Sequence, residues 1–434
     1  MKRPGVELLA TPWRFPEPEV LDLPGGLSLW HFPLPGQHVA AFELVLPAPL
    51  LAEPREQEGV ATVALHGIDE STHTHPDIAE LLDLTGAALN AHAGIRSTRL
   101  RGLVPARRLA DMLPLFAEVL REPAYLPEDV ALHVEALEAS YRTRRQSPGS
   151  AARWAFNSAL YGTGQRQGRP LAGSPGTLQH ITRDDVVAWH RQHYAPNGAT
   201  LIVAGDLPEL DLTPMESWTG HAERGAFPEP STDRGRVVIV DVPGAVQATI
   251  HVGFRSITRL DPRWPAARLA GHVMAGGFAS RLNLELRERL GYTYGVGGGF
   301  VPGDTASVLQ VVTSTRTDVA GDATRRILDA VALTGPITQA ELDDAKAYRI
   351  GIAPLANETS ADIASQAAVL AGAGLTTAYV GEHTDAMRAV TVEEATATWR
   401  ELVRADDLVV AVAGDAEALQ HQLQGLDPQV IDLQ

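Results

Sequence analysis

The chain predicts an α+β protein of two homologous halves, each a mainly antiparallel sheet packed with helices, and three observations carry that expectation. The first is a long internal repeat. Ile181-Thr182-Arg183-Asp184-Asp185 leads through Trp189 to Ala199-Thr200-Leu201-Ile202-Val203-Ala204-Gly205-Asp206, and Val390-Thr391-Val392-Glu393-Glu394 leads to Leu408-Val409-Val410-Ala411-Val412-Ala413-Gly414-Asp415. Thr391 follows Thr182, and Gly414 follows Gly205, by the same 209 positions, and equal spacing at two landmarks argues against coincidence. Each copy reads as an N-capped amphipathic helix and then an apolar strand ending in Gly-Asp. The second observation is that both halves open on a predicted strand pair. In the first half these strands run from Glu19 to Phe32, around Pro24-Gly25-Gly26, and from Val39 to Leu46. In the second they run from Val237 to Val242 and, after Pro243-Gly244, from Ala248 to Phe254. The third is the stretch between the copies: Thr219 to Gly235 holds Gly220, Gly225, Pro228, Pro230, Ser231 and Asp233 without a periodic apolar face. It reads as an exposed linker. The expected division is therefore a half over 1–218, a linker over 219–235 and a half over 236–434.

Composition narrows the function classes. A chain of 434 residues is too long for one ordinary core, and 44% hydrophobic with 21% charged residues describes a soluble globular protein. The net charge of −17 argues against a nucleic-acid partner and is compatible with attracting basic peptide segments. The absence of cysteine excludes disulfides and thiolate metal sites, and the basic residues are arginines except Lys2 and Lys346. No stretch approaches the roughly 20 apolar residues that span a bilayer. Met1 to Phe15 holds prolines and no apolar export-signal core, so the expected location is the cytoplasm, with a removed export signal as the alternative, and no membrane partner is expected.

The chemistry turns on Gly59-Val60-Ala61-Thr62-Val63-Ala64-Leu65-His66. Two histidines flanking a glutamate at helical spacing put two zinc ligands and a general base on one helix face. Here one histidine stands alone. Leu65 cannot take a proton from a bound water, and Thr62 is a poor substitute for an imidazole. Glu70 stands four residues after His66, with His73 and His75 following in Ser71-Thr72-His73-Thr74-His75. These read as a polar loop and helix end, with a rearranged metal site around His66, Glu70, His73 and His75 as the alternative.

The segment resembles the zinc helix of the pitrilysin and mitochondrial-processing-peptidase family, G-L-A-H-x-L-E-H, with an inverted H-x-x-E-H core. Thr62 stands for the first His, Leu65 for the Glu, and His66 is retained. The resemblance covers nearly the whole chain. It includes Glu53-Pro54 before Gly59, Leu84-Thr85-Gly86-Ala87-Ala88-Leu89-Asn90-Ala91, Tyr161-Gly162, Gly168-Arg169-Pro170 with Gly173, and His193-Tyr194-Ala195-Pro196-Asn197. Ala139 and Ser140 fall where the family has the Glu-Glu that supplies its third zinc ligand, with Glu138 one residue away.

In the second half, Ser280 to Val296 is similar to the family signature L-R-x-x-x-G-L-A-Y-S-V. The resemblance implies that Arg287 and Tyr294, seven apart, reach substrate beside the zinc. A guanidinium fork suits peptide carbonyls and a phenol suits a developing oxyanion. The bland alternative is an Arg paired with Glu285 or Glu288 and a Tyr filling the core; Arg289 and Tyr292 are the neighbouring candidates. Gly297, Gly298 and Gly299, before Phe300 and Val301-Pro302-Gly303-Asp304, either clear a path for an extended peptide or form turns. A nucleotide loop is excluded because no Gly-Lys-Ser/Thr follows.

The resemblance thus implies a non-catalytic subunit of a heterodimeric zinc-dependent peptidase. Such a subunit has no cofactor of its own, and its zinc sits in a homologous partner. The competing expectation is a non-enzymatic peptide-binding protein or structural core subunit of a larger assembly.

Overall fold

The computed structural model describes residues 13–433 apart from 208, 224, 233, 234, 304, 305 and 334. Most of the Met1 to Phe15 segment, and Asp233 and Asp304, therefore lie outside the described residues. The first sheet contains β1 (Glu19–Asp22), β2 (Ser28–Pro33), β3 (Val39–Leu46), β4 (Ala88–Ala93), β5 (Thr98–Pro105) and β6 (Thr200–Gly205), in the order β1-β2-β6-β3-β5-β4. The second contains β7 (Val237–Asp241), β8 (Gln247–Arg255), β9 (Val296–Val301), β10 (Val308–Arg316), β11 (Val409–Gly414) and β12 (Gln429–Ile431), in the order β12-β7-β11-β8-β10-β9. β2 runs parallel to β6, and β7 parallel to β11 and β12; the other neighbours are antiparallel. The five strands β2-β6-β3-β5-β4 and β7-β11-β8-β10-β9 repeat one topology, with helices around each sheet, and only the sixth strand differs, β1 coming first and antiparallel, β12 last and parallel; this is the expected α+β architecture.

The predicted opening pairs require a correction. β2 and β3 are separated by β6, and β7 and β8 by β11. The reason is visible in the burial: Leu201 to Gly205 and Val409 to Gly414 are buried without alternation. A strand apolar on both faces is stable only in the middle of a covered sheet, so the closing strand of each half inserts between the opening two.

The repeat is reproduced residue by residue. Helices Arg183–His193 and Val392–Leu402 start on Thr182 and Thr391, each closing a reciprocal capping box with Asp185 or Glu394.

The halves exchange one helix each. Helix Pro148–Tyr161 buries Ala151, Ala155 and Ala159 against Val238, Val240, Ala411 and Ala413 of the second sheet. Helix Ser360–Gly372 in turn buries Ile363, Ala364 and Ala367 against Phe32, Ala41, Ile202 and Ala204 of the first. Alanine at these positions lets a helix approach a sheet closely, as packing at interior density requires. The connecting segment adds smaller ties. Asn197 exchanges hydrogen bonds of 2.9 and 2.8 Å with the Ala222 backbone, and Glu229 accepts from Arg96 at 3.0 Å and from Arg255.

Two buried histidines make the fold acid-sensitive. Burial pushes His190 and His251 down to about 4, and His251 lies 5.8 Å from Phe156 on the exchanged helix. Unfolded, both would protonate near 6.5. Stability is then fully present above pH 6.5 and falls as pH drops from 6.5 towards 4, on the order of 2–3 kcal/mol per histidine. Urea midpoints measured across that window should fall with pH, and His190→Gln should flatten the slope.

Candidate functional site

The helix bearing the motif, Val60–His66, starts on Gly59, whose φ of 111° favours glycine. Its first N–H groups are held by a buried carboxylate: Glu53 accepts from Gly59 N at 3.0 Å and Ala61 N at 3.1 Å. Arg166 completes the anchor, donating to Glu53 through Nε and Nη2 at 3.0 and 2.8 Å and to the carbonyls of Pro170 and Leu171. A negative charge at a helix N-terminus is favourable, and here it fixes where the helix points.

Thr62, His66 and Ser140 line one cavity of about 870 Å³, so the positions of the three family ligands face a common space. Only His66 among them is a residue of metal-ligating type. Leu65 faces an adjoining cavity of about 260 Å³ together with His66, Asp69 and His133. His133, on helix Pro127–Arg145, has its ring centroid 5.9 Å from that of His66. Its Nε2 is 3.3 Å from Glu70 but is not aligned for a hydrogen bond. Burial, and then His133, hold His66 below the ordinary histidine range. Among the described residues no group of three His, Cys, Asp or Glu side chains is arranged to hold a metal ion. The residues present do not fit a catalytic zinc.

Glu70, four residues after His66, does not continue the motif helix. The helix ends at His66, and Glu70 lies in the following turn. His75 lies elsewhere, 2.9 Å from Glu118, which also accepts from Thr72, so the four residues of the rearranged site are not brought together. Glu138 pairs with Arg142 at 2.9 Å. Because Thr62, His66 and Ser140 share a cavity, Thr62→His with Ser140→Glu is expected to raise zinc binding to one ion per chain. Metal analysis of the dialysed variant and parent checks this.

The second-half signature forms a different surface. Arg287 sits in the π-helical segment Leu284–Arg289, a wide turn of a kind frequent at functional sites. Its guanidinium lies 4.7 Å from the Phe278 ring centroid and 3.5 Å from Glu288. Tyr294 is 96% exposed and Phe278 79% exposed, so Tyr294 does not fill the core. Of the neighbouring candidates, Arg289 is engaged by Glu285, and Tyr292 packs against the core. Gly297, Gly298 and Gly299 lie in β9, whose outer edge has no neighbouring strand among the described residues, rather than in a turn. A Cβ on Gly298 would meet the Gln310 carbonyl at 2.1 Å, which accounts for glycine there.

Sequence reasoning overlooked Asn283. Its buried amide donates to the carbonyls of Gly277 at 2.9 Å and Val296 at 2.7 Å, and its Oδ1 accepts from Val296 N at 2.9 Å. Asn283 therefore staples the Phe278 loop and the start of β9 to the helix carrying Arg287. The available signal was an asparagine at a position spaced for burial, between Leu282 and Leu286.

Residues 180–348 match the family described as "Peptidase M16 inactive domain". An uncharacterized zinc protease of Mycobacterium tuberculosis is 27% identical over 431 residues, covering 94% of this chain and 96% of that protein. An uncharacterized zinc protease of Bacillus subtilis is 21% identical over 298 residues, covering 67% of this chain and 72% of that protein. Among solved structures, a peptidase M16 inactive domain from Pseudomonas fluorescens superposes with a TM-score of 0.83 at 23% identity, covering 92% of this chain and 98% of that one. A chain of complex III from Candida albicans superposes with a TM-score of 0.78 at 15% identity, covering 95% and 100%. These two likenesses establish the shared fold. No helix among the described residues is long and apolar enough to cross a membrane. The repeated α+β halves and these matches make the chain similar to the pitrilysin-like M16 peptidases, with a peptidase M16 inactive domain matched over residues 180–348.

Proposed function

We propose that this chain is the non-catalytic subunit of a heterodimeric zinc-dependent peptidase of the cytoplasm. It works opposite a homologous subunit that bears an intact H-x-x-E-H motif and the zinc. The observation that supports this most is the contrast between the halves. The first presents one of three metal ligands around its cavity, whereas the second presents an exposed Tyr294 and an Arg287 braced on Phe278 beside an unpaired strand edge. In this reading Arg287 hydrogen-bonds the carbonyls of a bound peptide and Tyr294 donates to the oxygen on which charge develops. Gly297 of β9, where a Cβ would meet nothing within 4 Å, leaves room for an extended backbone. The deciding experiment is zinc content and peptide hydrolysis for the isolated chain and for material purified with its partner. Zinc and hydrolysis in the complex alone support the reading, whereas zinc and hydrolysis in the isolated chain overturn it.

A second reading, a structural core subunit of a larger assembly, is favoured by the fold shared with a chain of Candida albicans complex III. It predicts a stable complex containing no zinc-bearing homologue and no peptidase activity.

A further inference from the structure

The second half repeats the setting of the first half's degenerate metal site. There the motif helix packs against β4 and helix Pro127–Arg145; here helix Trp264–Gly271, with its π-helical continuation His272–Gly276, packs against β9 and helix Gln339–Gly351. By the offset of the repeat, Arg349 occupies the place of Ser140. In the second half this location is filled with positive charge. Arg268 lies 5.4 Å from the Trp264 ring and donates to the Phe300 carbonyl at 2.8 Å, which leaves most of its donors uncommitted. Nε of Arg349 is buried and has no hydrogen-bond partner. The His272 ring stacks on Tyr348 at 4.8 Å, and His383 stacks on Tyr379 at 5.5 Å, closing the cluster from helix Ala378–Ala389.

Burial and then Arg349 pull Arg268 down to about 9, and burial with the same two arginines pushes His272 down to about 4. Arg349 is lowered by burial, and His383 falls to about 4 through burial with Arg268, Arg349 and Arg259. No carboxylate is among the groups acting on these four side chains. Guanidinium groups taken out of water normally acquire a counter-ion, because an uncompensated buried charge is costly. Two that repel one another, one of them with a buried Nε that no acceptor meets among the described residues, form a pair of guanidinium groups without an anionic partner. The missing partner is an anion with several oxygens, for which the guanidinium fork is shaped.

We propose that Arg268, Arg349, His272 and His383 form a binding site for a compact oxyanion, a carboxylate or a phosphate. The site belongs to this chain alone and stands whether or not the heterodimer does. The test is calorimetric titration of inorganic phosphate into the full chain, at ionic strength held constant with chloride. One saturable site per chain is expected, with affinity at least tenfold weaker in Arg349→Met. Without phosphate, Arg349→Met should melt at or above the parent temperature, because it removes repulsion; a purely structural arginine would lower it. Arg349→Lys, which keeps the charge but loses the fork, should fall between the two in affinity. Absence of saturable binding in the parent, or unchanged binding in both variants, would overturn the proposal. Displacement of phosphate by a short peptide with a free terminal carboxylate, but not by its amide, assigns the site to peptide ends. Saturable phosphate binding that neither peptide displaces assigns it to a free anion.

Discussion

Arg287→Ala, assayed with the zinc-bearing partner present, is expected to lower peptide turnover by about two to three orders of magnitude, the usual consequence of losing a group that stabilises transition-state charge. Zinc content and assembly of the complex should be unchanged. Arg287 is partly exposed, and its contacts are with Phe278 and Glu288 at the surface, so its removal opens no core cavity. Tyr294→Phe separates the two contributions. The ring of Tyr294 is exposed and supports nothing, so any loss in turnover belongs to the hydroxyl. Turnover that survives Arg287→Ala would refute the assigned role and favour a structural subunit.

The largest expected effect on stability comes from Arg166→Met. The side chains of Arg166 and Glu53 are 4% and 0% exposed; Arg166 is the charge partner of Glu53 and also lies 3.7 Å from Glu58. Removing the guanidinium leaves a carboxylate buried on two backbone N–H groups, a change that costs about 3–5 kcal/mol. Burial already raises Glu53 above the usual carboxylate range, with Arg166 opposing that shift. The double variant Glu53→Gln with Arg166→Met removes both charges and should lose less than the single Arg166→Met. Urea unfolding of the three chains would measure the coupling. A loss below about 1 kcal/mol for Arg166→Met would mean that water reaches Glu53.

Features set by local chemistry were legible in the sequence. Thr182 and Thr391 cap their helices because a hydroxyl next to a carboxylate three residues on is a self-contained device. The placement of β6 and β11 was also written there, as apolar runs without alternation, but the strand-pair expectation outweighed it. The partner of an apolar face is a different matter. Ala151, Ala155 and Ala159 mark a helix face ready for burial, yet nothing in their spacing says that the covering sheet begins at Val237. The candidate site divides in the same way. The replacement of a ligand-type and a base-type residue can be read at Thr62 and Leu65, whereas Asn283 acts through bonds to Gly277 and Val296 that only the folded chain brings within reach. The cationic cluster on Arg268 and Arg349 was invisible for the same reason, since its members come from three helices separated in sequence.

The crossing of helices between halves also sets an order of events at the ribosome. Helix Ser360–Gly372 is made more than 150 residues after β6, so the face of the first sheet that it covers stays wet, or shielded by something else, until most of the chain has emerged. Neither half is a complete hydrophobic unit on its own. A fragment ending in the connecting segment would carry Pro148–Tyr161 as an uncovered helix and lack the lid for its own sheet. The two halves therefore mature as a single cooperative product rather than one after the other.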